Sequence, residues 1–559
     1  MTPEQEKALK ARLQDRYWRL NNLYWIIDGY GQKVRFKFNW AQELLFKDLH
    51  YLNEVLKVRQ LGISTFMAIF MLDRCLFLET HGCGIVDKTE ADVKKKIAKI
   101  KFAWENLDYD DGTPEGAELA AIGHQIKTAL GIPKKNGQID PVKSNDLEMT
   151  FSNNSTVWGG ISLRGGTTQC LHISELGAVA FKEPKKAREI LSGALNTVIP
   201  GPPGQIIVSE STHEGGKFGA HYDICELAME NIGRDELAPM QWKFHFYAWM
   251  QERKYRADPS MVTLKPRDHR YHEKIKNAHG ITFTPEQAAW HSMKWDEQKE
   301  GMFKEYPTVP SEAFDALIKG SIYGETISAL RSEGKILDFI PNPTAPVVTA
   351  WDIGNSDYNS IWFIQQVGME FHWINWHESQ GEQAGDHAAA IRKWEAEYGP
   401  VAVHLLPHDA NTRGTAGSHK TSADYLADAG IKNVVVVPRT PDIWIAINAL
   451  RDMLPRCVFH KTNCGTERIH NGKKFPSGLA CLEGYHTSTN DAGATIKEMP
   501  VHDAFSHSAD AARTFAQAVE AGLVQAYFGG TGGGGNAPMR KRKPRVSTGF
   551  RNQRNKVRR

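Results

Sequence analysis

The chain has 559 residues, 24% charged and 41% hydrophobic, a globular composition that excludes disordered and collagen-like chains. No window of about 18 apolar residues is present, and the first residues lack the apolar core of a signal peptide, which favours a cytoplasmic protein. The net charge of +3 is unevenly placed, because residues 539–559 hold ten Lys or Arg and no acid. Without them, 58 basic residues face 65 acidic ones, so a body of net charge −7 carries a strongly basic tail.

Hydrophobic periodicity in the first half predicts an α/β domain over residues 36–325, preceded by an amphipathic helix within residues 1–35. The predicted elements are, in chain order, a helix at 41–53, a buried strand at 55–58, an apolar helix at 66–78, and strands at 170–173 and 206–208. The last two strands end in small polar and acidic residues. Open α/β sheets bind ligands beyond the carboxyl ends of their strands, so these ends predict a ligand site.

The second half has a different rhythm, which predicts a separate domain over residues 347–522. Three prolines in 340–346 mark the boundary, and we expect residues 326–346 to form a linker. The predicted elements are strands at 347–351, 360–367 and 369–377, a helix at 384–397, a strand at 401–406, a helix at 422–428, a strand at 434–437, a helix from 443 and a final helix at 503–518. Residues 523–559 predict a glycine-rich hinge followed by the basic tail.

A loop between the first buried strand and the next helix, in the segment KVRQLGIST, is a candidate phosphate cradle. Gly62 and Ser64 fit the second half of the G-x4-G-K-[ST] pattern, but Ile63 occupies the position of the lysine. Lys57 and Arg59 stand at the strand end, and either one would replace that lysine. A hydroxyl at Ser64 suits Mg²⁺ binding. The competing interpretation is an ordinary strand-to-helix turn.

The strand at 170–173 runs into Ser174 and Glu175, where nucleotide hydrolases normally carry Asp-Glu. In that pair the first acid supports the metal ion and the second orients the attacking water. Ser174 replaces the first acid, whereas Glu175 keeps the second role.

Three acids in the second half suit phosphodiester cleavage by two metal ions, which needs about three converging carboxylates. Asp352 ends the first strand, Asp409 follows the fourth strand and Asp510 lies in the final helix. Asp503 competes with Asp510, because residues seven apart share one face of a helix. Asp357 is an auxiliary acid by this interpretation. Each acid alone also fits a turn or cap residue.

Cysteine and histidine residues near position 460 admit a zinc site. The residues are Cys457, His460, Cys464 and His470. Their spacing is not a standard one for zinc, and cysteines in a strand serve more often as small core residues.

Four segments, taken with their order and spacing, resemble the large subunit of tailed-phage terminases. They are KVRQLGIST, LRGGTTQCLHISELG, IIVSESTHEGG and EYPTVPSEAF (305–314). The resemblance covers roughly residues 30–520 and implies an α/β chain with an N-terminal P-loop ATPase domain and a C-terminal ribonuclease H-like nuclease domain. The HxxDAxR pattern at 507–513 resembles the end of these nucleases and favours Asp510.

Carried over residue by residue, the resemblance implies Glu175 as the catalytic carboxylate of the ATPase and Ser211-Thr212 as the motif that couples hydrolysis to movement. Gln42 would read adenine, and Ser64, with Thr65 beside it, would hold Mg²⁺. The residues implied to bind ATP are Gln42, Lys57, Arg59, Gln60, Gly62, Ile63, Ser64 and Thr65. The nuclease would hold two Mg²⁺ or Mn²⁺ ions on Asp352, Asp409 and Asp510.

The same resemblance implies partners and a place. The substrate would be double-stranded DNA, and the partners would be the portal protein of the procapsid, the terminase small subunit and further copies of the chain in a ring on the portal. The protein would act in the host bacterial cytoplasm, transiently at the procapsid portal, and be absent from the mature virion. The basic tail would contact DNA phosphates.

Two other functions remain open. A ribonuclease H-like transposase or integrase would use the same three acids without Glu175 or the VSEST strand. A non-enzymatic phage DNA-binding protein would tolerate a degenerate phosphate loop, and Ile63 and Ser174 are its best support.

Overall fold

Two large β-sheets, one in each half of the chain, organise the computed structural model. The described residues are 3–162, 167–200, 204–316, 318–353, 358–411, 420–489 and 495–528. Asp357, the glycine-rich segment and the basic tail lie outside them. Within the described part of the chain, no helix is both long and apolar enough to cross a bilayer.

The first half contains thirteen α-helices and twelve strands among its described residues. The helices are α1 (Pro3–Gln14), α2 (Arg16–Asn22), α3 (Trp40–Lys47), α4 (Ile63–Phe77), α5 (Glu90–Glu105), α6 (Pro114–Leu130), α7 (Leu176–Lys182), α8 (Pro184–Ala194), α9 (Ala220–Met229), α10 (Pro266–His279), α11 (Pro285–Gln298), α12 (Met302–Glu305) and α13 (Pro310–Asp315). The strands are β1 (Trp25–Ile27), β2 (Lys33–Arg35), β3 (Leu52–Lys57), β4 (Gly82–Val86), β5 (Ile132–Pro133), β6 (Ile139–Asp140), β7 (Lys143–Asn145), β8 (Glu148–Thr150), β9 (Thr156–Gly160), β10 (Cys170–Ser174), β11 (Ile206–Ser211) and β12 (Trp242–Tyr247).

The sheet of the first half has the strand order β12-β3-β11-β10-β4-β9-β8-β7. The strands from β12 to β9 are parallel, and β8 and β7 continue the sheet antiparallel. β11 lies between β3 and β10, so the carboxyl ends of these three strands meet at one edge of the sheet. The loop between β3 and α4 opens at this edge, as expected for a P-loop ATPase domain.

The second half has eight α-helices and eleven strands among its described residues. The helices are α14 (Gly324–Ser332), α15 (Ala384–Tyr398), α16 (Ser422–Asp428), α17 (Ile443–Met453), α18 (Lys461–Gly465), α19 (Gly478–Gly484), α20 (Ser506–Glu520) and α21 (Gln525–Phe528). The strands are β13 (Ile336–Leu337), β14 (Val347–Ile353), β15 (Tyr358–Val367), β16 (Glu370–Gln380), β17 (Val401–Leu406), β18 (Val434–Val436), β19 (Cys457–His460), β20 (Arg468–His470), β21 (Lys473–Phe475), β22 (Thr487–Thr489) and β23 (Thr495–Pro500).

The sheet of the second half has the order β13-β19-β16-β15-β14-β17-β18. β15 runs antiparallel to both neighbours, whereas β17 and β18 run parallel to β14. Helix α20 packs on this sheet, where the indole Nε1 of Trp362 donates to the carbonyl of Ser508 at 2.7 Å. Three antiparallel strands followed by two parallel ones form the ribonuclease H-like arrangement. The predicted fold class, two successive α/β domains of these types, is confirmed.

The predicted linker at 326–346 differs from the structure. Part of α14 and all of β13 fall within it, and β13 pairs with β19 in the second sheet. Ile327 and Leu330 of α14 are buried in the core of the second half. The prolines mark only the loop between β13 and β14, so the second packed unit begins before residue 347.

In place of the predicted N-terminal helix, the structure has two helices, α1 and α2, followed by the β1–β2 hairpin. Asp15 interrupts the helix, because its carboxylate accepts a hydrogen bond from the backbone N–H of Tyr17 and caps α2. Arg19 of α2 then anchors the segment, donating from Nε and Nη2 to the buried carboxylate of Asp73 on α4 at 2.8 and 2.7 Å. Tyr24 donates to the same carboxylate at 2.8 Å.

Asp73→Asn is expected to lower the free energy of unfolding by about 3 kcal/mol, because it leaves the buried guanidinium of Arg19 without its counter-charge. Urea unfolding followed by circular dichroism measures the change. Glu118→Gln is the matched control, since it removes an exposed pair with Arg12 that contributes about 0–1 kcal/mol. Equal losses in the two variants would contradict the role given to Asp73.

Candidate functional site

The loop after β3 is held in shape by the start of α3. Gly62 adopts a left-handed conformation with φ of 72°, and a Cβ there would lie 2.7 Å from Nε2 of Gln42. That Nε2 donates to the carbonyl of Gly62 at 2.9 Å, and Asn39 donates to the carbonyl of Leu61 at 2.9 Å. Gln42 therefore braces the loop, while its Oε1 accepts from the backbone N–H of Asn39.

The side chain of Arg59 points away from the loop, towards Glu305 in α12. Its guanidinium pairs with the carboxylate of Glu305, and its side chain is 58% exposed. Tyr255 donates to the carbonyl of Arg59 at 2.7 Å, and Lys254 donates to the carbonyl of Gln60 at 2.8 Å. The segment that contains Glu305 thus closes over the outer side of the loop.

Lys57 lies at the centre of the strand ends, where two carboxylates face its ammonium. Its Nζ lies 3.2 Å from Oε1 of Glu175 and forms a close ion pair with Glu210. Burial alone would lower the pKa of Lys57, but the two carboxylates outweigh it and raise the pKa. Lys57 therefore stays charged in a largely buried position beside the loop.

Ser64 and Thr65 open helix α4, and both hydroxyls are engaged. Ser64 donates to Oε1 of Glu210 at 2.7 Å, and Nζ of Lys99 donates to the hydroxyl of Thr65 at 2.9 Å. Ile63 is buried in the core of the first half, so only its backbone N–H can serve a ligand in the loop. Lys99, from α5, is a second cation at this helix N-terminus.

Glu175 occupies an unusual backbone conformation directly after β10. Its φ of 56° places it in the left-handed region, which is strained for a residue other than glycine and clusters at functional sites. The next helix is tied to β11, since Gly177 donates from its backbone N–H to the hydroxyl of Ser211 at 3.0 Å. A Cβ on Gly177 would lie 2.4 Å from the carbonyl of Thr212. Ser211 and Thr212 therefore pack directly against the helix that Glu175 begins.

The acids of the second half meet at the carboxyl end of β14. Burial raises the pKa of Asp352 to about 6, and the carboxylates of Asp510 and Asp409 add to the rise. Nδ1 of His507 lies 3.1 Å from Oδ2 of Asp352 and opposes it. Asp510 also accepts from Nε of Arg513 at 3.1 Å. The structure thus gathers Asp352, Asp409 and Asp510 within electrostatic range of each other.

Asp503 does not share a helix face with Asp510. Helix α20 begins at Ser506, and the carboxylate of Asp503 accepts from the backbone N–H of Phe505 at 2.9 Å. The predicted shared helix face for Asp503 and Asp510 is therefore wrong, because Asp503 lies in the turn before the helix. It faces His486, whose Nδ1 lies 3.8 Å from Oδ2.

Two buried acids in these sites were missed by the sequence analysis. Glu210 stands on β11 and contacts Lys57 and Ser64, on either side of the loop after β3. Glu378 stands on β16 in register with Ser360, which is itself in register with Asp352. Burial raises the pKa of Glu378 to about 8, and Ser508 donates to it at 2.6 Å. The available signal for Glu378 was an acid inside a strand rich in aromatic residues, FHWINWHESQ (371–380).

The zinc site considered near position 460 is not formed. The thiols of Cys457 and Cys464 are buried in the core and donate to the carbonyls of Met453 and Trp373. His460 caps α18 by accepting from Asn463.

A cleft of about 1070 Å³ lies between the two halves and reaches from Lys57 and Glu175 to His507, which contacts Asp352. Lys57 and Glu175 line it on one side, and His507 and Asp503 line it on the other. Its lining carries ten Lys or Arg against five Asp or Glu. The acidic body therefore contains a local basic surface that its net charge conceals.

No family model and no curated protein matches the chain. Among solved structures, the large terminase of the thermophilic bacteriophage D6E is 12% identical, with 86% of this chain and 99% of that chain covered and a TM-score of 0.27. The P22 large terminase nuclease domain is 18% identical over 34% of this chain and 89% of its own, with a TM-score of 0.24. The Thermus phage P74-26 large terminase ATPase domain is 11% identical over 49% and 94%, with a TM-score of 0.27. The similar structures are thus large terminases from several phages, the family that the sequence motifs resemble.

Proposed function

We propose that the chain is a phage terminase large subunit, an ATP-driven motor that moves double-stranded DNA into a procapsid and a metal-dependent endonuclease that cuts it. The observation that carries this proposal is the presence of two sites in one chain, with a cleft that reaches from Lys57 and Glu175 to His507, the partner of Asp352. A charged lysine and a carboxylate meet at a phosphate loop, and three acids converge on a ribonuclease H-like sheet. A transposase has no use for the first site.

The residues around the loop fit ATP with Mg²⁺ by their chemistry. Backbone N–H groups at the start of α4 and the ammonium of Lys57 suit phosphate, and the hydroxyl of Ser64 suits Mg²⁺. Bound Mg²⁺ would neutralise charge on the phosphates. Binding of phosphate by Lys57 would separate it from Glu175, whose carboxylate would then be free to orient the attacking water. Ser211 and Thr212 would carry that change to the rest of the domain.

Lys57→Met is expected to weaken ATP binding at least about tenfold, because a hydrogen bond to a charged group contributes about 1.5–3 kcal/mol. Arg59→Met should change the affinity by less, since Arg59 pairs with Glu305. Titration with a fluorescent ATP analogue that resists hydrolysis measures both affinities. Nuclease activity checks that each variant folds. A larger loss in Arg59→Met would assign the phosphate contact to Arg59 instead.

Asp352, Asp409 and Asp510 fit a pair of Mg²⁺ or Mn²⁺ ions, because carboxylates are the ligands that these ions prefer. The two ions would activate water and stabilise the leaving oxygen. His507 holds the carboxylate of Asp352 in place, and Arg513 does the same for Asp510.

We propose that the basic cleft contacts the DNA backbone between the two sites. Lys185→Ala combined with Arg188→Ala is expected to reduce the slope of log affinity against log salt by about 2, because each phosphate contact contributes about 0.9. Both side chains are exposed and line the cleft. Lys276→Ala with Lys393→Ala, exposed residues outside the cleft, is the charge-matched control. An unchanged slope in the cleft variant would place the DNA elsewhere.

The proposal extends to partners and place. The portal protein, the small subunit and further copies of the chain would assemble around the motor at the procapsid, in the host cytoplasm. The decisive experiment measures ATP hydrolysis with and without double-stranded DNA, and cutting of plasmid DNA with Mn²⁺, in the full chain. DNA-stimulated hydrolysis together with cutting supports the motor. Cutting without hydrolysis favours the transposase-like function, and neither activity favours a DNA-binding protein.

A further inference from the structure

The sheet topology places Glu210 at the position that the second nucleotide motif leaves without an acid. β11 lies between β3 and β10, and Glu210 is in register with Ser174. Ser174 donates to Oε1 of Glu210 at 2.9 Å, and Ser64 donates to the same oxygen at 2.7 Å. One carboxylate thus touches both the serine that replaces the missing acid and the serine expected to hold Mg²⁺.

Charged and polar groups surround Glu210. Its side chain is fully buried, and Lys57 and His172 both face its carboxylate. Nε2 of His172 lies 3.2 Å from Oε1. An acid that served only to neutralise Lys57 would need one oxygen, whereas Oε1 faces the two serines and His172 and Oε2 faces Lys57.

The spacing of Ser64 and Glu210 also suits a shared cation. Oxygen ligands lie about 2.1 Å from Mg²⁺, so neighbouring ligands in its octahedral shell are about 3 Å apart. We infer that Glu210 supplies, from the neighbouring strand, the carboxylate that supports the Mg²⁺ of bound nucleotide in place of an acid at position 174. This inference rests on the proposed ATPase function and names the acid that the function lacks.

The test is the metal dependence of nucleotide binding. In Glu210→Gln, Mn²⁺ should bind the protein–ATPγS complex about 10–100-fold more weakly, measured by electron paramagnetic resonance of Mn²⁺, while ATPγS without metal binds as in the wild type. Glu54→Gln, a fully buried acid on β3 that bonds to His221 instead, controls for a neutral amide in the sheet. A swap, Ser174→Asp with Glu210→Ser, should restore Mn²⁺ binding and covers the case that Glu210→Gln fails to fold.

The possible outcomes distinguish failure of this inference from failure of the proposed ATPase function. Wild-type Mn²⁺ affinity in Glu210→Gln, or no Mn²⁺ binding in a folded swap variant, overturns the inference and leaves the ATPase standing if ATPγS binds. A wild-type chain that binds no ATPγS, with or without metal, overturns both.

A second site is carried by different residues, at the end of β16. His377 of β16 and His387 of α15 converge on one carboxylate oxygen, Oε2 of Glu382, at 3.2 and 3.0 Å. Glu382 lies in the loop between the two elements, and Ser379 orients its Oε2 by donating at 2.7 Å. The other oxygen lies 3.3 Å from Nε2 of His470 on β20.

Hydrogen bonding alone does not account for this cluster. His387 is buried, and its Nδ1 makes no aligned hydrogen bond although it lies close to Glu382. Zinc binds nitrogen at about 2.0–2.1 Å, so tetrahedral ligands lie about 3.3 Å apart. The geometry points to a site for a zinc-class divalent cation on His377, Glu382 and His387, with His470 beside the other oxygen of Glu382.

Zinc alone is the probe. In the Asp352→Asn background, which weakens metal binding at the three acids, calorimetry of the metal-stripped full chain should show about one tight zinc site. His377→Ala with His387→Ala should weaken it at least about tenfold, whereas His124→Ala, an exposed histidine outside the cluster, should not. Co²⁺ bound to the chain with both histidines intact should give the intense visible absorption of a tetrahedral site. Undiminished zinc binding in the double variant, or a chain without that absorption, overturns the site.

Discussion

Glu175→Gln is expected to lower the rate of DNA-stimulated ATP hydrolysis by about 10²–10⁴-fold while ATP still binds. Under the proposed function this carboxylate orients and deprotonates the attacking water, and general-base catalysis contributes a factor of that size. Glutamine has the same shape, so the left-handed turn after β10 is kept. Lys57 retains Glu210 as its partner, so the variant should fold. Phosphate release measures the rate, and titration with ATPγS measures the affinity.

The control for this variant is Glu230→Gln, which removes an exposed carboxylate beyond α9 and should change neither quantity. Nuclease activity should survive in both variants, since the three acids of the second half are untouched. Hydrolysis above about a tenth of the wild-type rate in Glu175→Gln would remove Glu175 from the role of catalytic base.

The fold of the second half is well predicted because its strands alternate clearly and its turns are marked. The strand at 401–406 and the helix at 422–428 have the bounds that the pattern predicts. The prediction of a single N-terminal helix is wrong because the apolar spacing of three and four residues continues across Asp15, which caps α2 and so divides the helix. The predicted linker differs from the structure because β13 has only two residues, too few to show the alternating pattern of a strand.

The site residues that the sequence predicts also differ in kind from those that it does not predict. Lys57, Glu175 and Asp352 are predictable because each stands beside the end of its own strand. Glu210 is not, since it acts on Ser64, 146 residues away, and on Ser174, 36 residues away. Only the insertion of β11 between β3 and β10 brings these residues together. Under the proposed roles the case for a degenerate loop weakens, because Lys57 would replace the lysine absent at position 63 and Glu210 would replace the acid absent at position 174.

Asp352→Asn is expected to reduce Mn²⁺-dependent cutting of plasmid DNA by at least about 100-fold, with ATP hydrolysis retained. Metal ions at such sites contribute several kcal/mol to the transition state, and each 1.36 kcal/mol is about tenfold in rate. Asp452→Asn, an exposed acid on α17, is the control. Cutting at the wild-type rate in Asp352→Asn would exclude this acid from the nuclease site.

Thermal unfolding gives a second readout of Asp352 that does not depend on activity. The folded-state pKa of Asp352 is raised from 3.8 to about 6 by burial and by Asp510 and Asp409. Its carboxyl group therefore lowers the stability progressively between these two pH values, and the loss is complete above about pH 6. Without metal at pH 7.5, Asp352→Asn should therefore raise the melting temperature. Mn²⁺ at 100 times its Kd should stabilise the wild type by about 2.7 kcal/mol and the variant by much less. A variant that melts lower without metal, or gains as much from Mn²⁺, would show that the three acids do not form one metal site.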